Sequence, residues 1–251
     1  MSRDTLTPTP LRWPTIEGPF RKDDTAFWRA ASGDVRLLFV GSGPTPGRPE
    51  REEIFARVAP EAAAAGTTVS WAKQIHSDRA LAASPGCAGE GDALVAPRDA
   101  GLALTLSTAD CVPVLLAGPT YLAAAHAGWR GLANGVLAAT VGRLPDPPET
   151  LSAWIGPSIG PCCYEVSPEV ADEVVRGAGA GNVAIVRRGP SGKPHLDLFA
   201  AAERQLRALG IRNISMLRTC TRCDEANLHS YRREGKGGGR NLSFVYVQPG
   251  A

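Results

Sequence analysis

A chain of 251 residues can form one large domain or two small ones, and 43% hydrophobic residues are enough for a sizeable core. The formal net charge is +2 and the basic residues are scattered, so neither a nucleic acid nor a membrane surface is expected as a partner. Runs of about 18 apolar residues are absent and the N-terminus is polar, so the sequence predicts neither a transmembrane helix nor a signal peptide.

The N-terminal region contains several prolines between residues 8 and 19, which disfavour long regular structure. We therefore expect an irregular segment at residues 1–30, followed by a single domain at residues 31–251. The first elements predicted in that domain are a buried strand at 35–40, a loop at 41–49 and a helix at 52–65 that Pro60 interrupts.

Residues 67–77 alternate between apolar and polar side chains, as in a strand. Gln74 and His76 then point to the same face, because side chains alternate with a period of two. A histidine at a strand end is ordinarily solvated or satisfied within the core, so His76 alone does not define a site. Asp92 opens a short strand at 92–97, where an aspartate is usually a turn residue.

Two apolar runs at residues 112–116 and 122–125 predict neighbouring buried strands in a hairpin or near-hairpin. Cys111 precedes the first run and His126 follows the second, so a thiol and an imidazole should stand at one end of the sheet. A buried cysteine is most often a small hydrophobe. The adjacent Asp110 carboxylate argues against an inert core position, because it can orient a metal ligand or a substrate.

A helical apolar pattern follows at residues 132–144, and Gly128 and Gly131 permit a tight turn before it. Free backbone N–H groups at this helix start, together with the Arg130 guanidinium, would form an anion site. The alternative is that Arg130 only covers the helix end at the surface.

Strands and helices continue to interleave through the rest of the chain, and several strand pairs are too close in sequence for crossover helices. This order predicts one α/β domain with mixed β-sheets. The later elements predicted are strands at 151–155, 183–186, 214–218 and 243–247 and helices that begin at Ser167 and Asp197.

The six cysteines are irregularly spaced, which favours reduced thiols in the cytoplasm over a secreted disulfide framework. Cys220 and Cys223 form a C-x-x-C pair that would suit zinc or redox chemistry. No second pair with zinc-finger spacing follows, and the adjacent Cys162 and Cys163 do not supply a normal C-x-x-C partner. A structural site of four cysteines is therefore not favoured by the sequence.

His76, Cys111 and His126 come from separate stretches but can meet if their strand ends converge. Two imidazoles and a thiolate match a catalytic zinc with one position left open for water or substrate, and copper accepts the same ligands. Convergence predicts ligand atoms within roughly 4 Å of one another. A cysteine hydrolase, with Cys111 as nucleophile and His126 as base, needs no third ligand.

The same stretches carry a longer motif series: KQIHS at 73–77, TADCVPVLL at 108–116, HAGWRGL at 126–132, IGPSIGPCCYEV at 155–166, and CTRC followed by SYRREGKGGGR at 220–240. In order and spacing, over roughly residues 67–247, this series resembles the multicopper-polyphenol-oxidase-like, or laccase-domain, family. Members of that family are also named purine nucleoside phosphorylase and peptidoglycan editing factor. The loop at 41–49 lacks the family's pattern, so no residue is carried over there.

The resemblance implies a layered α/β sandwich and a metal site at the three converging residues. It also implies a cytoplasmic zinc enzyme that phosphorolyses adenosine, inosine, guanosine or methylthioadenosine and deaminates adenosine. The expected partners are a small-molecule nucleoside and phosphate, and the expected assembly is a monomer or a small homo-oligomer. Catalytic roles are assigned to His76, Cys111, His126 and Arg130, and substrate-binding roles to Gln74, Asp92 and Asp110.

Three other functions fit the sequence less well or less completely. A copper polyphenol oxidase with several coppers needs many histidines, and the chain has 4. A cysteine hydrolase or amidase would fit a peptidoglycan-editing role. A binding or metal-storage module would need no turnover at all.

Overall fold

The computed structural model describes residues 21–22, 27–41, 51–179, 185–189, 191–248 and 250. Apart from Gly41, the loop expected at 41–49 lies outside the described residues. Residues 1–20 of the expected irregular segment also lie outside them. The strand elements, in chain order, are β1 (Arg21–Lys22), β2 (Phe27–Ser32), β3 (Val35–Val40), β4 (Thr68–Lys73), β5 (Ala80–Ala82), β6 (Gly86–Glu90), β7 (Ala93–Pro97), β8 (Leu102–Thr108), β9 (Val112–Ala117), β10 (Tyr121–Ala127), β11 (Ser152–Ile155), β12 (Val186–Arg188), β13 (Pro194–Leu196), β14 (Asn213–Met216) and β15 (Asn241–Val247). The helices are α1 (Arg51–Val58), α2 (Pro60–Ala64), α3 (Trp129–Asn134), α4 (Val136–Val141), α5 (Pro168–Gly177), α6 (Leu198–Ala208) and α7 (Tyr231–Glu234), with short 3-10 turns at Pro148–Thr150 and Gly235–Gly237.

Two large mixed sheets form the centre of the fold. Across the described ranges, one sheet has 7 strands in the order β1-β2-β3-β15-β8-β4-β6, and the other has 6 in the order β14-β11-β9-β10-β7-β5. Most neighbours are antiparallel, but β4 runs parallel to β6 and β8, β11 parallel to β14, and β5 parallel to β7. Strands β12 and β13 form a separate ribbon.

The two sheets pack face to face over a buried apolar layer. Leu37 and Leu104 of the larger sheet meet Leu94 and Leu115 of the smaller one in this layer. Each buried leucine contributes roughly 1.5–3 kcal/mol of hydrophobic stabilisation. The central layer therefore fixes the relative position of the sheets, and with it the position of every strand end.

Helices cover the outer faces of both sheets. Alternate residues of β9 divide between the two layers: Leu115 faces the other sheet, whereas Val114 and Leu116 join the core beneath the helices. On the opposite side, Phe55 of α1 packs against Phe244 of β15 with ring centroids 5.4 Å apart. The predicted α/β class, a layered sandwich of mixed sheets flanked by helices, is confirmed.

The expected hairpin is also confirmed. Strands β9 and β10 pair antiparallel, with His126 opposite Pro113 and Ala127 opposite Val112. The sequence prediction differs from the structure at residues 132–144, where α3 and α4 replace a single helix. Gly135 separates them with φ of 89°, a left-handed conformation that glycine adopts without a steric penalty.

The boundary predicted at residue 30 stays a prediction. Strand β1 and the first residues of β2 lie on its N-terminal side, and both strands belong to the seven-stranded sheet. No helix in the ranges that the structure describes combines the length and apolar character needed to cross a membrane.

Replacing Gly135 with alanine should lower the free energy of unfolding by about 1–2 kcal/mol, because an L-residue pays that cost in the left-handed region. An added Cβ would meet nothing closer than Ala138 Cβ at 4.0 Å, so steric overlap does not contribute. Gly237→Ala is the matched control: it has no left-handed φ and no atom within 4 Å of the added carbon. Urea unfolding that ranks the two variants equal would contradict this account.

Candidate metal centre

Cys111 and His126 are placed by the β9–β10 hairpin. Cys111 lies directly before β9, and His126 is the penultimate residue of β10. Antiparallel pairing brings the beginning of one strand beside the end of the other. The two side chains therefore stand at the same end of the smaller sheet, as the sequence predicted.

His76 comes from the larger sheet, three residues beyond the end of β4. Its backbone has φ of 60°, in the left-handed region that non-glycine residues enter at a cost of about 1 kcal/mol or more. The N–H groups of Ile75, His76 and Ser77 all donate to the carboxylate of Asp92, at 3.2, 3.0 and 2.6 Å. These bonds hold the strained turn in place.

The Asp92 carboxylate also holds the second imidazole. His126 Nδ1 lies 2.8 Å from Asp92 Oδ1, which leaves Nε2 free to face a ligand. A carboxylate in this position fixes the ring orientation and the tautomer of a metal-binding histidine. Although burial raises the pKa of Asp92, hydrogen bonds from His126 and Ser77 hold that pKa well below its usual range.

The three candidate ligands converge. One ligand atom each from His76, Cys111 and His126 lies within 4.8 Å of the other two. Cys111 Sγ and His76 Nε2 are 3.9 Å apart, and the two imidazole centroids are 4.9 Å apart at an interplanar angle of 77°. Metal–ligand bonds of about 2.0–2.3 Å place tetrahedral ligand atoms roughly 3.3–3.8 Å apart, so only small side-chain movements separate this geometry from coordination.

Gly128 leaves space beside this cluster because it has no side chain. A Cβ at Gly128 would lie 2.9 Å from Cys111 Sγ and 3.4 Å from His76 Cδ2. A side chain at residue 128 would therefore crowd Cys111 and His76. This is the physical role of the glycine that follows the His-Ala pair in the sequence.

The charges in the cluster support a metal thiolate. Burial raises the pKa of the Cys111 thiol, but the neighbouring His126 and His76 rings outweigh that effect and lower it to about 6. Burial lowers the pKa of His126, but the Cys111 sulfur and Asp92 raise it to about 9. The cluster therefore stabilises a thiolate beside an imidazolium, and a divalent ion would replace the imidazolium proton as the positive charge next to the sulfur.

A cavity of about 720 Å³ opens onto the cluster. His126 is buried, Cys111 partly buried and His76 exposed, so the ligands form part of the cavity wall rather than a closed interior site. Many of the other residues of the wall are aromatic or cationic. It includes the aromatic residues Trp71, Trp129, Tyr164 and Tyr231 and the cationic residues Arg51, Lys73, Arg232 and Arg240.

Two of the predicted substrate-binding residues, Gln74 and Asp110, line the cavity, but their side chains already bind other parts of the protein. Gln74 lines the cavity, but its amide bonds both the N–H and the C=O of Ser107, at 2.9 and 2.8 Å. Asp110 also lines it, with φ of 88°, and accepts hydrogen bonds from Thr221 Oγ1 at 2.6 Å and from Arg232 N at 2.7 Å. Both side chains hold the wall together.

Asp92 and Arg130 are not among the described residues that line the cavity. Asp92 is completely buried, so it positions the histidines and has no surface for a ligand. Arg130 is exposed on α3, with its guanidinium carbon 4.4 Å above the Trp129 ring. Two of the cationic residues that do line the cavity, Arg232 and Arg240, belong to the SYRREGKGGGR segment, to which the sequence alone gave no role.

A family model described as multi-copper polyphenol oxidoreductase laccase matches residues 50–248. The chain belongs to this family. It is 33% identical over 247 residues to the protein named purine nucleoside phosphorylase YfiH from Escherichia coli K12, covering 94% of this chain and 97% of that one. It is 36% identical over 162 residues to adenosine deaminase RL5 from an unknown prokaryotic organism, covering 62% of each chain. The solved structure of Neisseria meningitidis protein NMB0706 matches with a TM-score of 0.73 and 28% identity, over 92% of this chain and 100% of that one.

Asp92→Asn should weaken zinc binding by about 10–100-fold, because the amide removes the charge that orients His126. The measurement is competition against a chromogenic chelator. Asp146→Asn is the matched control, since Asp146 is also buried but accepts its bonds from Thr120 and Tyr121 in the β9–β10 turn. Unchanged zinc affinity in Asp92→Asn, with weaker affinity in the control, would contradict the positioning role.

Proposed function

We propose that the protein is a zinc-dependent purine nucleoside enzyme. It would phosphorolyse adenosine, inosine, guanosine or methylthioadenosine and would deaminate adenosine. The observation that carries this proposal is the cluster of His76, Cys111 and His126 on the wall of a cavity of about 720 Å³. Small-molecule sites have volumes of about 300–1,000 Å³ and combine apolar walls with a few polar groups. The names of the relatives support the same class of substrate.

The aromatic part of the wall suits the purine ring. Trp71 and Trp129 lie on the same cavity as the two tyrosines, Tyr164 and Tyr231. Flat aromatic faces stack on nucleobases with about 1–3 kcal/mol per base. Tyr231 is 47% exposed, so its ring is available to a ligand that enters from solvent.

The cationic part of the wall suits phosphate. Arg232 lies with its guanidinium carbon 5.3 Å above the Tyr164 ring, and its backbone N–H is fixed by Asp110. An arginine fork can bind two phosphate oxygens at once. We therefore assign the phosphate site to Arg232 in place of Arg130, whose side chain lies outside the cavity lining.

Phosphorolysis requires a phosphate oxygen to attack C1′ of the ribose. The C1′–N9 bond then breaks, and its electron pair leaves with the purine, which takes up a proton. The products are the free base and ribose 1-phosphate. Arg232 would hold the attacking phosphate, and stacking on the aromatic wall would hold the leaving base in position.

Deamination uses the same base-binding wall. A water oxygen adds to C6 of adenine, and the amino group leaves with an added proton as ammonia, which gives inosine from adenosine. A zinc ion held by the three ligands would supply Lewis acidity and lower the pKa of water to about 7. Asp92 contributes by keeping His126 oriented, so that the ligand set is already assembled before substrate binds.

A cysteine hydrolase or amidase, which would fit a peptidoglycan-editing role, is the second candidate. Asp92, His126 and Cys111 form a carboxylate–imidazole–thiol series, and the lowered pKa of Cys111 is what a nucleophile needs. That mechanism gives no role to His76. The convergence of His76 on the same point therefore favours the metal enzyme.

A copper polyphenol oxidase with several coppers receives no support from the histidines. Of the 4 in the chain, His195 hydrogen-bonds the Pro161 carbonyl at 2.6 Å and His229 lies 3.1 Å from Glu234. Only His76 and His126 share a cluster of potential ligands in the described part of the chain. One copper ion at that cluster remains a metal to compare with zinc.

Purified protein with zinc should convert adenosine to inosine, and with phosphate present it should also release adenine and ribose 1-phosphate. Cys111→Ala should reduce adenosine deamination by at least about 100-fold, because it removes one of the three ligands of the ion that would lower the pKa of the attacking water. Cys87→Ala, an exposed cysteine outside the cavity, is the control. Full activity in chelator-treated wild type, combined with loss in Cys111→Ala, would favour the hydrolase chemistry instead. Products are resolved by chromatography.

Arg232→Gln should raise the KM for phosphate by about 10-fold or more, since a charged hydrogen bond contributes roughly 1.5–3 kcal/mol. Deamination, which uses no phosphate, should change much less. Arg130→Gln serves as the matched control and should leave both reactions near the wild-type rate. Phosphate dependence that is lost in Arg130→Gln and retained in Arg232→Gln would return the phosphate site to the start of α3.

A further inference from the structure

The structure assembles a second group of potential metal ligands. Cys162 and Cys163 lie in the turn after β11, and Cys220 and Cys223 lie in the turn after β14. One sulfur from each lies within 4.8 Å of the other three. The sequence interpretation that disfavoured a site of four cysteines is therefore revised.

Adjacent cysteines can reach one point here because they lie in a tight turn. The N–H groups of Cys163 and Tyr164 both donate to the Gly160 carbonyl, at 2.9 and 3.0 Å. This turn directs both neighbouring side chains toward the C-x-x-C segment. Backbone bonds from Ser158 N to Thr219 O and from Thr221 N to Ser158 O, at 3.2 and 3.0 Å, hold the two segments side by side.

The sulfur spacing matches tetrahedral coordination. Cys223 Sγ lies 3.7 Å from Cys162 Sγ and 3.3 Å from Cys163 Sγ. Zinc–sulfur bonds of about 2.3 Å place tetrahedral sulfurs about 3.8 Å apart. One cysteine thus approaches both members of the adjacent pair at nearly the spacing of zinc ligands, which a single disulfide would not require.

Donors near the sulfurs offset the negative charge of thiolates. Gly160 N donates to Cys220 Sγ at 3.2 Å. The Arg222 guanidinium lies 3.6 Å from Cys163 Sγ. Hydrogen bonds from N–H groups to coordinating sulfurs orient the ligands and moderate their charge in metal–thiolate sites.

We propose that Cys162, Cys163, Cys220 and Cys223 bind a structural zinc ion, separate from the ion held by His76, Cys111 and His126. Four protein ligands leave no position for water, so this site would be structural and not catalytic. Copper(I) also accepts thiolates, but a tetrahedral set of four sulfurs is typical of zinc.

The ion would fix one wall of the cavity. Tyr164 follows Cys163 directly and lines the cavity, and Thr221 lies between Cys220 and Cys223 and donates to Asp110. Arg232 follows in the same C-terminal segment and donates its N–H to the same carboxylate. Tying the two turns together would therefore hold the tyrosine and the arginine in register with the candidate metal centre.

The test counts metal in protein purified under anaerobic, reducing conditions with zinc. Wild type and Cys87→Ala should each retain one zinc ion beyond the one at the His-Cys-His centre. Cys111→Ala should lose only the latter ion, and Cys223→Ser only the former. Cobalt substitution of Cys111→Ala should give the intense sulfur-to-metal charge-transfer absorption of a tetrathiolate site.

The number of zinc ions bound to Cys111→Ala decides the proposal, even if the Cys223→Ser variant does not fold. Zinc-free Cys111→Ala, in which the four clustered thiols react with a thiol reagent as readily as Cys87 in the presence of zinc, would overturn it. A Cys163–Cys223 disulfide found by mass spectrometry under the same conditions would also overturn it. Failure of the nucleoside assay with this second ion still bound would count against the proposed function alone.

Discussion

The buried carboxylate of Asp92 is the interaction on which the candidate metal centre depends. It accepts three backbone N–H groups from residues 75–77, the Ser77 hydroxyl at 2.7 Å and the His126 ring. A buried charge without partners is costly, and these donors offset that cost. Because the donors come from the end of β4 and from β10, the same carboxylate joins the two sheets at their shared end.

A second carboxylate, Asp110, performs a corresponding task beside Cys111. Asp110 adopts a left-handed backbone conformation next to Cys111 and binds Thr221 and the backbone of Arg232. The thiol is thereby linked to the C-terminal segment, which also carries two of the four clustered cysteines. Buried hydrogen bonds, rather than one rigid element, set the position of the ligands relative to the rest of the cavity.

Under the proposed function, one cavity would serve two related reactions. The wall of the cavity carries the ligand cluster together with aromatic and cationic groups. Nucleoside phosphorolysis and adenosine deamination share the purine and differ in the attacking group, phosphate or water. A wall that binds the purine independently of the attacking group would accommodate both reactions. The names of the relatives include both a phosphorylase and a deaminase.

The sequence by itself determined the α/β class, the β9–β10 hairpin and the meeting of Cys111 with His126. These features follow from apolar runs and from pairing between adjacent segments, which are local properties of the chain. The sequence placed His76 at a strand end, but only the tertiary structure showed where that end lies. The tertiary structure also paired the carboxylates of Asp92 and Asp110 with donors from distant segments, and it brought Arg232 but not Arg130 to the cavity. It gathered four cysteines whose spacing in the sequence did not predict a common site. All of these features depend on contacts between segments that are distant in the sequence. The packing of the two sheets decides which strand ends and turns become neighbours, and the periodicity of side chains along one segment carries no information about that packing.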